Sequence, residues 1–166
     1  SFPLKKENIR YSNIFSPNFM FRYAPGHMRN LSGESVTLKY ANLYETNKTS
    51  SIEDGLSAIV GFDFKIDEKG DGKSPNKEKL SISLGQAFSP EQNKDIPSKS
   101  SLDQKMSDVV GEINYNFSKI GSIDYKFSVD HNYNDLIYNE VSTNLNFGKL
   151  GFNIDYLEEQ NHVGTE

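Results

Sequence analysis

Residues 106–130, MSDVVGEINYNFSKIGSIDYKFSVD, form two consecutive arms in which apolar and polar side chains alternate. Val109, Gly111, Ile113, Tyr115 and Phe117 share one face of the first arm, and Asp108, Val110, Glu112, Asn114 and Asn116 share the other. In the second arm Ile123, Tyr125, Phe127 and Val129 alternate with Ser122, Asp124, Lys126, Ser128 and Asp130. A repeat of two residues is the mark of a strand with one apolar face. Lys119, Ile120 and Gly121 join the arms, with glycine placed for a left-handed residue and a bulge. Folding about Ile120 pairs Phe117 with Ile123, Tyr115 with Tyr125 and Ile113 with Phe127, and on the polar side Asn116 with Asp124 and Asn114 with Lys126. Every pair then stays on one face, as cross-strand pairing requires. A packed core and a lipid bilayer would both produce this alternation.

The same period recurs along the chain. Strands are expected over 17–24, 35–44, 55–66, 79–88, 106–118, 122–132, 136–147 and 151–159, after an irregular lead-in over 1–16. The row Leu56, Ala58, Val60, Phe62, Phe64 and Ile66 is long for a soluble strand and sufficient for a tilted membrane crossing. Near the end, Gly148 and Gly151 flank Lys149 and Leu150, which pairs Phe147 with Phe152, Asn146 with Asn153 and Leu145 with Ile154. The expected fold is all-β: an antiparallel meander of about eight strands and no helix, forming an incomplete wall of a transmembrane outer-membrane β-barrel or a large curved sheet.

Only 35% of residues are hydrophobic and the mean hydropathy is -0.65, so no run is long enough for a membrane-spanning helix. A barrel remains open, because its strands give only alternate residues to lipid. The polar face is dense in groups that a dry core could not satisfy, several aromatics lie near the tight turns, and the connection over 89–105 is long where others are minimal. These features favour a water-filled lumen on one side and lipid on the other. The lumen row is then Asp63, Lys65, Glu112, Asn114, Asp124 and Lys126. The lipid row is Leu56, Val60, Phe62, Phe64, Ile113, Tyr115, Phe117, Ile123, Tyr125 and Phe127. The competing reading is an ordinary soluble sheet whose polar face meets bulk water.

Little in the chain points to chemistry. With 18 basic and 23 acidic residues the net charge is -5, and no basic patch interleaved with aromatics suits nucleic acid. Cysteine is absent, which excludes disulfides and thiolate sites. Asp67, Asp71, Gly72 and Glu78 fall at positions of an EF-hand-like loop, but Lys69 occupies a ligand position and strands flank the run, so a polar hairpin connection is expected rather than a calcium site. His27, His131 and His162 have no partner at ligand spacing and read as surface or interface residues. Asn47-Lys48-Thr49 and Asn116-Phe117-Ser118 match the glycosylation pattern by chance. No Ser, His and acid cluster can be assembled, so neither an enzyme nor a cofactor site is expected.

The runs FRYAPGHMRNLS (21–32), NLYETNKTSSIEDGLSAIVGFDF (42–64), LSISLGQAFS (80–89) and SLDQKMSDVVGEINYNFS (101–118) resemble the C-terminal barrel domain of the LptD (OstA, Imp) family of lipopolysaccharide-assembly outer-membrane proteins. Asn-Leu-aromatic at 42–44, an Asp-Gly-Leu-Ser strand start and a later Leu-Gly-Gln carry most of the likeness, and IDYKFSVDHNYNDLIYNEVSTNLNF is similar to the family's repeating hairpins. The resemblance implies a non-catalytic transport barrel in the bacterial outer membrane. Such a barrel would receive lipopolysaccharide from a periplasmic bridge and release it into the outer leaflet, with the plug lipoprotein LptE inside. The chain lacks the signal sequence, jellyroll domain and cysteines of the family pattern and is expected to be an internal piece of the wall. A small structural or adhesive barrel and a soluble β-sheet binding module are the alternatives.

Overall fold

The computed structural model describes residues 2–34, 36–49, 53–70, 75–117 and 120–160. Eight strands form one antiparallel sheet: β1 (Leu4–Glu7), β2 (Tyr11–Ala24), β3 (Gly55–Glu68), β4 (Lys77–Phe88), β5 (Val109–Phe117), β6 (Gly121–Val129), β7 (Leu136–Phe147) and β8 (Leu150–Glu159). Spatial order follows chain order, and the sheet is open, with β1 and β8 at its two edges.

Two expectations are corrected here. The lead-in over 1–16 is not irregular: it holds β1 and the first part of β2, paired from Leu4↔Phe15 to Glu7↔Ser12. Adjacent apolar residues such as Ile14 and Phe15 obscure the period, and Pro17 suggests a break. Pro17 is accommodated because it lies past the end of β1, where β2 has β3 as its neighbour. The segment 35–44 is not a strand. Its described part is irregular and then makes one helical turn, α1 (Tyr40–Leu43). The Asn42 side chain bends the chain there, accepting the Lys39 backbone N–H at 2.8 Å and donating to the Thr37 carbonyl at 3.2 Å.

The registers also differ from expectation. In the β5–β6 hairpin Phe117 faces Gly121, Tyr115 faces Ile123 and Ile113 faces Tyr125. In the β7–β8 hairpin Phe147 faces Leu150 and Leu145 faces Phe152. Both are offset by two residues from the apolar matching. A shift of two keeps every side chain on its face, so alternation sets the parity of pairing but not its register. Gly121 consequently lies inside β6 rather than in the turn. A Cβ there would come within 1.9 Å of the Asn144 carbonyl oxygen, so close strand approach, not a left-handed backbone, calls for glycine.

The sheet's core lies on its more polar side. Leu38, Leu43, Ile59, Ala87, Ile96, Leu102 and Val110 form one buried cluster, built where 25–54 and 89–108 fold over β3, β4 and β5. Gly61 and Gly85 make room for α1: a Cβ on Gly85 would stand 2.4 Å from Leu43 Cδ2, and one on Gly61 2.3 Å from the Tyr44 hydroxyl. The opposite face is bare, with Phe21 81%, Tyr23 72% and Phe19 61% exposed. Connections differ by end as well. Residues 8–10, 69–76, 118–120 and 148–149 separate strands at one end and 25–54, 89–108 and 130–135 at the other, which has the two longest connections, 25–54 and 89–108.

Candidate functional site

Antiparallel pairing turns alternation along each strand into rows across the sheet. Asp63, Ser83, Glu112, Lys126 and Glu140 are successive partners from β3 to β7, and the next row runs Lys65, Ser81, Asn114, Asp124 and Ser142. All six residues of the expected lumen row therefore sit side by side on the face that carries α1. The ten residues of the expected lipid row share the other face. One of its rows reads Phe15, Phe64, Ile82, Ile113, Tyr125, Val141 and Tyr156. Aromatic rings reinforce it, with Tyr125 and Phe127 stacked at 5.4 Å and Phe15 and Phe62 5.5 Å apart.

The polar rows are engaged by the chain's own groups. Asp63 accepts hydrogen bonds from Tyr40 Oη at 2.7 Å, Ser83 Oγ at 2.6 Å and Asn18 Nδ2 at 2.5 Å. Lys65 pairs with Glu78 at 3.2 Å, Lys126 with Glu140 at 2.9 Å, and Asn114 donates to Asp124. Opposite charges facing one another across strands are the polar counterpart of the aromatic rows. Glu112 borders a small hollow with Lys39, Tyr40 and Tyr138. Lys39 Nζ donates to Tyr138 Oη at 2.7 Å and stands 3.9 Å from Glu140, while Thr37 donates to Glu159 at 2.8 Å. The inward segment is thus strapped to β3 through Tyr40, to β7 through Lys39 and to β8 through Thr37. Burial, with Asp63 adding to it, pushes the Tyr40 phenol well above the usual tyrosine range and raises that of Tyr44, so both remain protonated beside the carboxylate.

This two-faced wall, polar and self-covered on one side and apolar and bare on the other, has a counterpart among known families. The family model described as LptD: LPS transport system D matches residues 1–164. The chain belongs to the LptD family. Comparison with curated proteins and with solved structures returns no significant match. As an LptD chain it has its role in lipopolysaccharide transport and assembly at the outer membrane, and its open all-β sheet is consistent with an incomplete barrel.

Tertiary folding brings this LptD chain several constellations that spacing does not reveal. A strand over 35–44 would keep Lys39 and Thr37 local, so their reach across the sheet is invisible in the pattern, although a connection from Ala24 to Gly55 far exceeds a hairpin turn. Arg22, Lys48 and Glu53 come together buried at the long-loop end; the Lys48–Glu53 ion pair spans 3.8 Å. His131 is not without partners, as its spacing implied: the β5–β6 pairing brings Asp108 beside Asp130 and His131, with His131 Nδ1 at 2.9 Å from Asp130. Burial and then the Asp130 charge raise the Asp108 carboxyl. Among the EF-hand-like positions, Asp67 and Glu78 are cross-strand neighbours in β3 and β4, and Asp71 and Gly72 lie outside the described residues. Of the second glycosylation pattern, Asn116 and Phe117 belong to β5 and Ser118 lies outside the described residues.

Proposed function

We propose that this chain forms part of the wall of the outer-membrane translocon that inserts lipopolysaccharide into the outer leaflet. The observation that carries the reading is the location of the core. In a soluble sheet the apolar face would be the packed one; here the packed cluster lies on the polar side, and no described element covers Phe19, Phe21, Tyr23 and Leu56. So large an exposed apolar surface suits lipid. On this reading Asp63, Lys65, Glu112, Asn114, Asp124 and Lys126 face the lumen, and Leu56, Val60, Phe62, Phe64, Ile113, Tyr115, Phe117, Ile123, Tyr125 and Phe127 face the bilayer. Sugars and phosphates pass along the polar wall while acyl chains reach the membrane, a process that needs no covalent step from these residues. The partners implied are the plug lipoprotein LptE, the periplasmic bridge and lipopolysaccharide itself.

A photocrosslinker placed in the full-length protein in cells tests the orientation. At Lys126 it should capture lipopolysaccharide or the plug, and at Phe64 phospholipid or nothing. Capture of lipopolysaccharide or plug at Phe64 alone would reverse the faces and overturn the reading.

A further inference from the structure

At the long-loop end of the sheet, the register of β5 and β6 places two acids against each other. The outermost partners are Val109↔Val129, so Asp108 and Asp130 stand opposite one another one position further on. Like charges placed opposite across neighbouring strands are destabilising. Asp108 is only 7% exposed, so water does little to screen the repulsion. No Lys or Arg among the described residues forms an ion pair with either carboxylate. A buried charge of this kind is matched by an opposite charge or by a metal ion.

His131 separates this constellation from an ordinary acidic patch. One donor atom from each of Asp108, Asp130 and His131 lies within 4.8 Å of the other two, and His131 Nδ1 stands 2.9 Å from Asp130 Oδ1. An ion about 2.0–2.2 Å from each donor needs donor separations of no more than about 4.4 Å. The three groups are therefore within a small side-chain adjustment of a chelating set. They are also held as ligands are held, by hydrogen bonds from behind. The Asp108 carboxylate accepts the Ser101 hydroxyl and the His131 backbone N–H, and Asp130 Oδ2 accepts the Asn132 N–H at 3.0 Å, leaving Oδ1 turned to His131. The Asp130 and His131 side chains are 23% and 37% exposed, so an ion can enter from solvent. We propose that Asp108, Asp130 and His131 bind one divalent transition-metal ion of the zinc type, with water completing its coordination. Two carboxylates and a neutral imidazole carry the charge that a divalent ion cancels. The imidazole selects a zinc-like ion over magnesium or calcium, whose sites are built from oxygen. Bound there, the ion staples the end of the 89–108 connection to the start of 130–135. This site stands on its own geometry and does not depend on the transport reading.

The test is calorimetric titration of the tag-free full-length protein in detergent with zinc chloride, after stripping with a chelator that is then dialysed away. Asp108→Asn and His131→Gln should each weaken one zinc site at least about tenfold. His27→Gln, an exposed histidine of the 25–54 connection, should leave that site unchanged. Equimolar calcium or magnesium should not displace the zinc. The zinc absorption-edge spectrum of the complex should lose one imidazole nitrogen in His131→Gln. If Asp108→Asn fails to fold, His131→Gln decides, because its side chain is partly exposed. Absence of zinc binding to the unaltered protein, undiminished affinity or an identical spectrum in His131→Gln, or displacement of zinc by equimolar calcium would overturn the proposal.

Discussion

Strands β3 and β8 belong to one sheet but live in different surroundings. β3 has a neighbour on each side, and its inner face lies under α1 and the long connections, with Ile59 1% exposed and Asp63 holding three donors. β8 has one neighbour, and nine of its ten positions are exposed, on both faces. A wall whose outer face is bare gains its packing from whatever fills its inside. Around β3 the chain supplies that filling itself; at β8 it supplies one strap, Thr37 to Glu159, and leaves Phe152, Ile154, Tyr156 and Leu157 open. The first region is closed by the chain's own loop, and the second stays open on both faces and along one edge.

The sharpest way to break this contrast is to truncate one leucine on each side of it. Leu43→Ala empties a fully buried site and should cost about 2–5 kcal/mol, whereas Leu157→Ala, on the same face of the sheet, should stay within about 0.5 kcal/mol. Urea unfolding of the full-length protein in detergent measures both, and equal losses would abolish the distinction. Next in size, Ile113→Arg should cost about 2–4 kcal/mol if it sits at mid-bilayer, and Asn114→Arg on the adjacent inner position much less. The heat-modifiable fraction assembled in the outer membrane reports this; unchanged assembly of Ile113→Arg would mean that the faces are reversed.

Smaller effects sharpen the comparison. Gly121→Ala should cost about 1–3 kcal/mol, because the new methyl group must displace the Asn144 backbone, while Gly26→Ala, with open space around it, should be nearly neutral in the same unfolding assay. Tyr40→Phe removes one of the donors on Asp63 and should loosen the strap by about 1–3 kcal/mol, visible as faster hydrogen exchange over 36–49. Tyr156→Phe, an exposed phenol on β8, should leave exchange unaltered.

The smallest effect concerns pH. Burial raises the Asp108 carboxyl in the folded protein, so the folded state holds that proton more firmly than the unfolded chain. Its contribution to stability is therefore greatest in acid and falls as pH rises from the ordinary aspartate range through the raised value. Asp108→Asn should remove this slope from the melting temperature measured between about pH 4 and about pH 7. An identical slope in the variant would place the titration elsewhere.

Residue-by-residue alternation is sufficient to determine that the chain is all-β and which side chains share a face, because a strand's period is two and antiparallel neighbours preserve it. Hence alternation alone groups Asp63, Glu112 and Lys126 on one face, and Phe64, Ile113 and Tyr125 on the other. The same property hides the registers, since an offset of two leaves both faces intact; only strand geometry, with Gly121 tight against Asn144, selects one. Alternation misleads over 35–44, where Asn42 hydrogen bonds override a strand-like pattern. Tertiary structure alone decides that this loop folds inward, that the core sits on the polar side, and that Arg22 meets Lys48 from a distant stretch of chain. Those arrangements depend on which surfaces the long connections reach, and connection length by itself carries no direction.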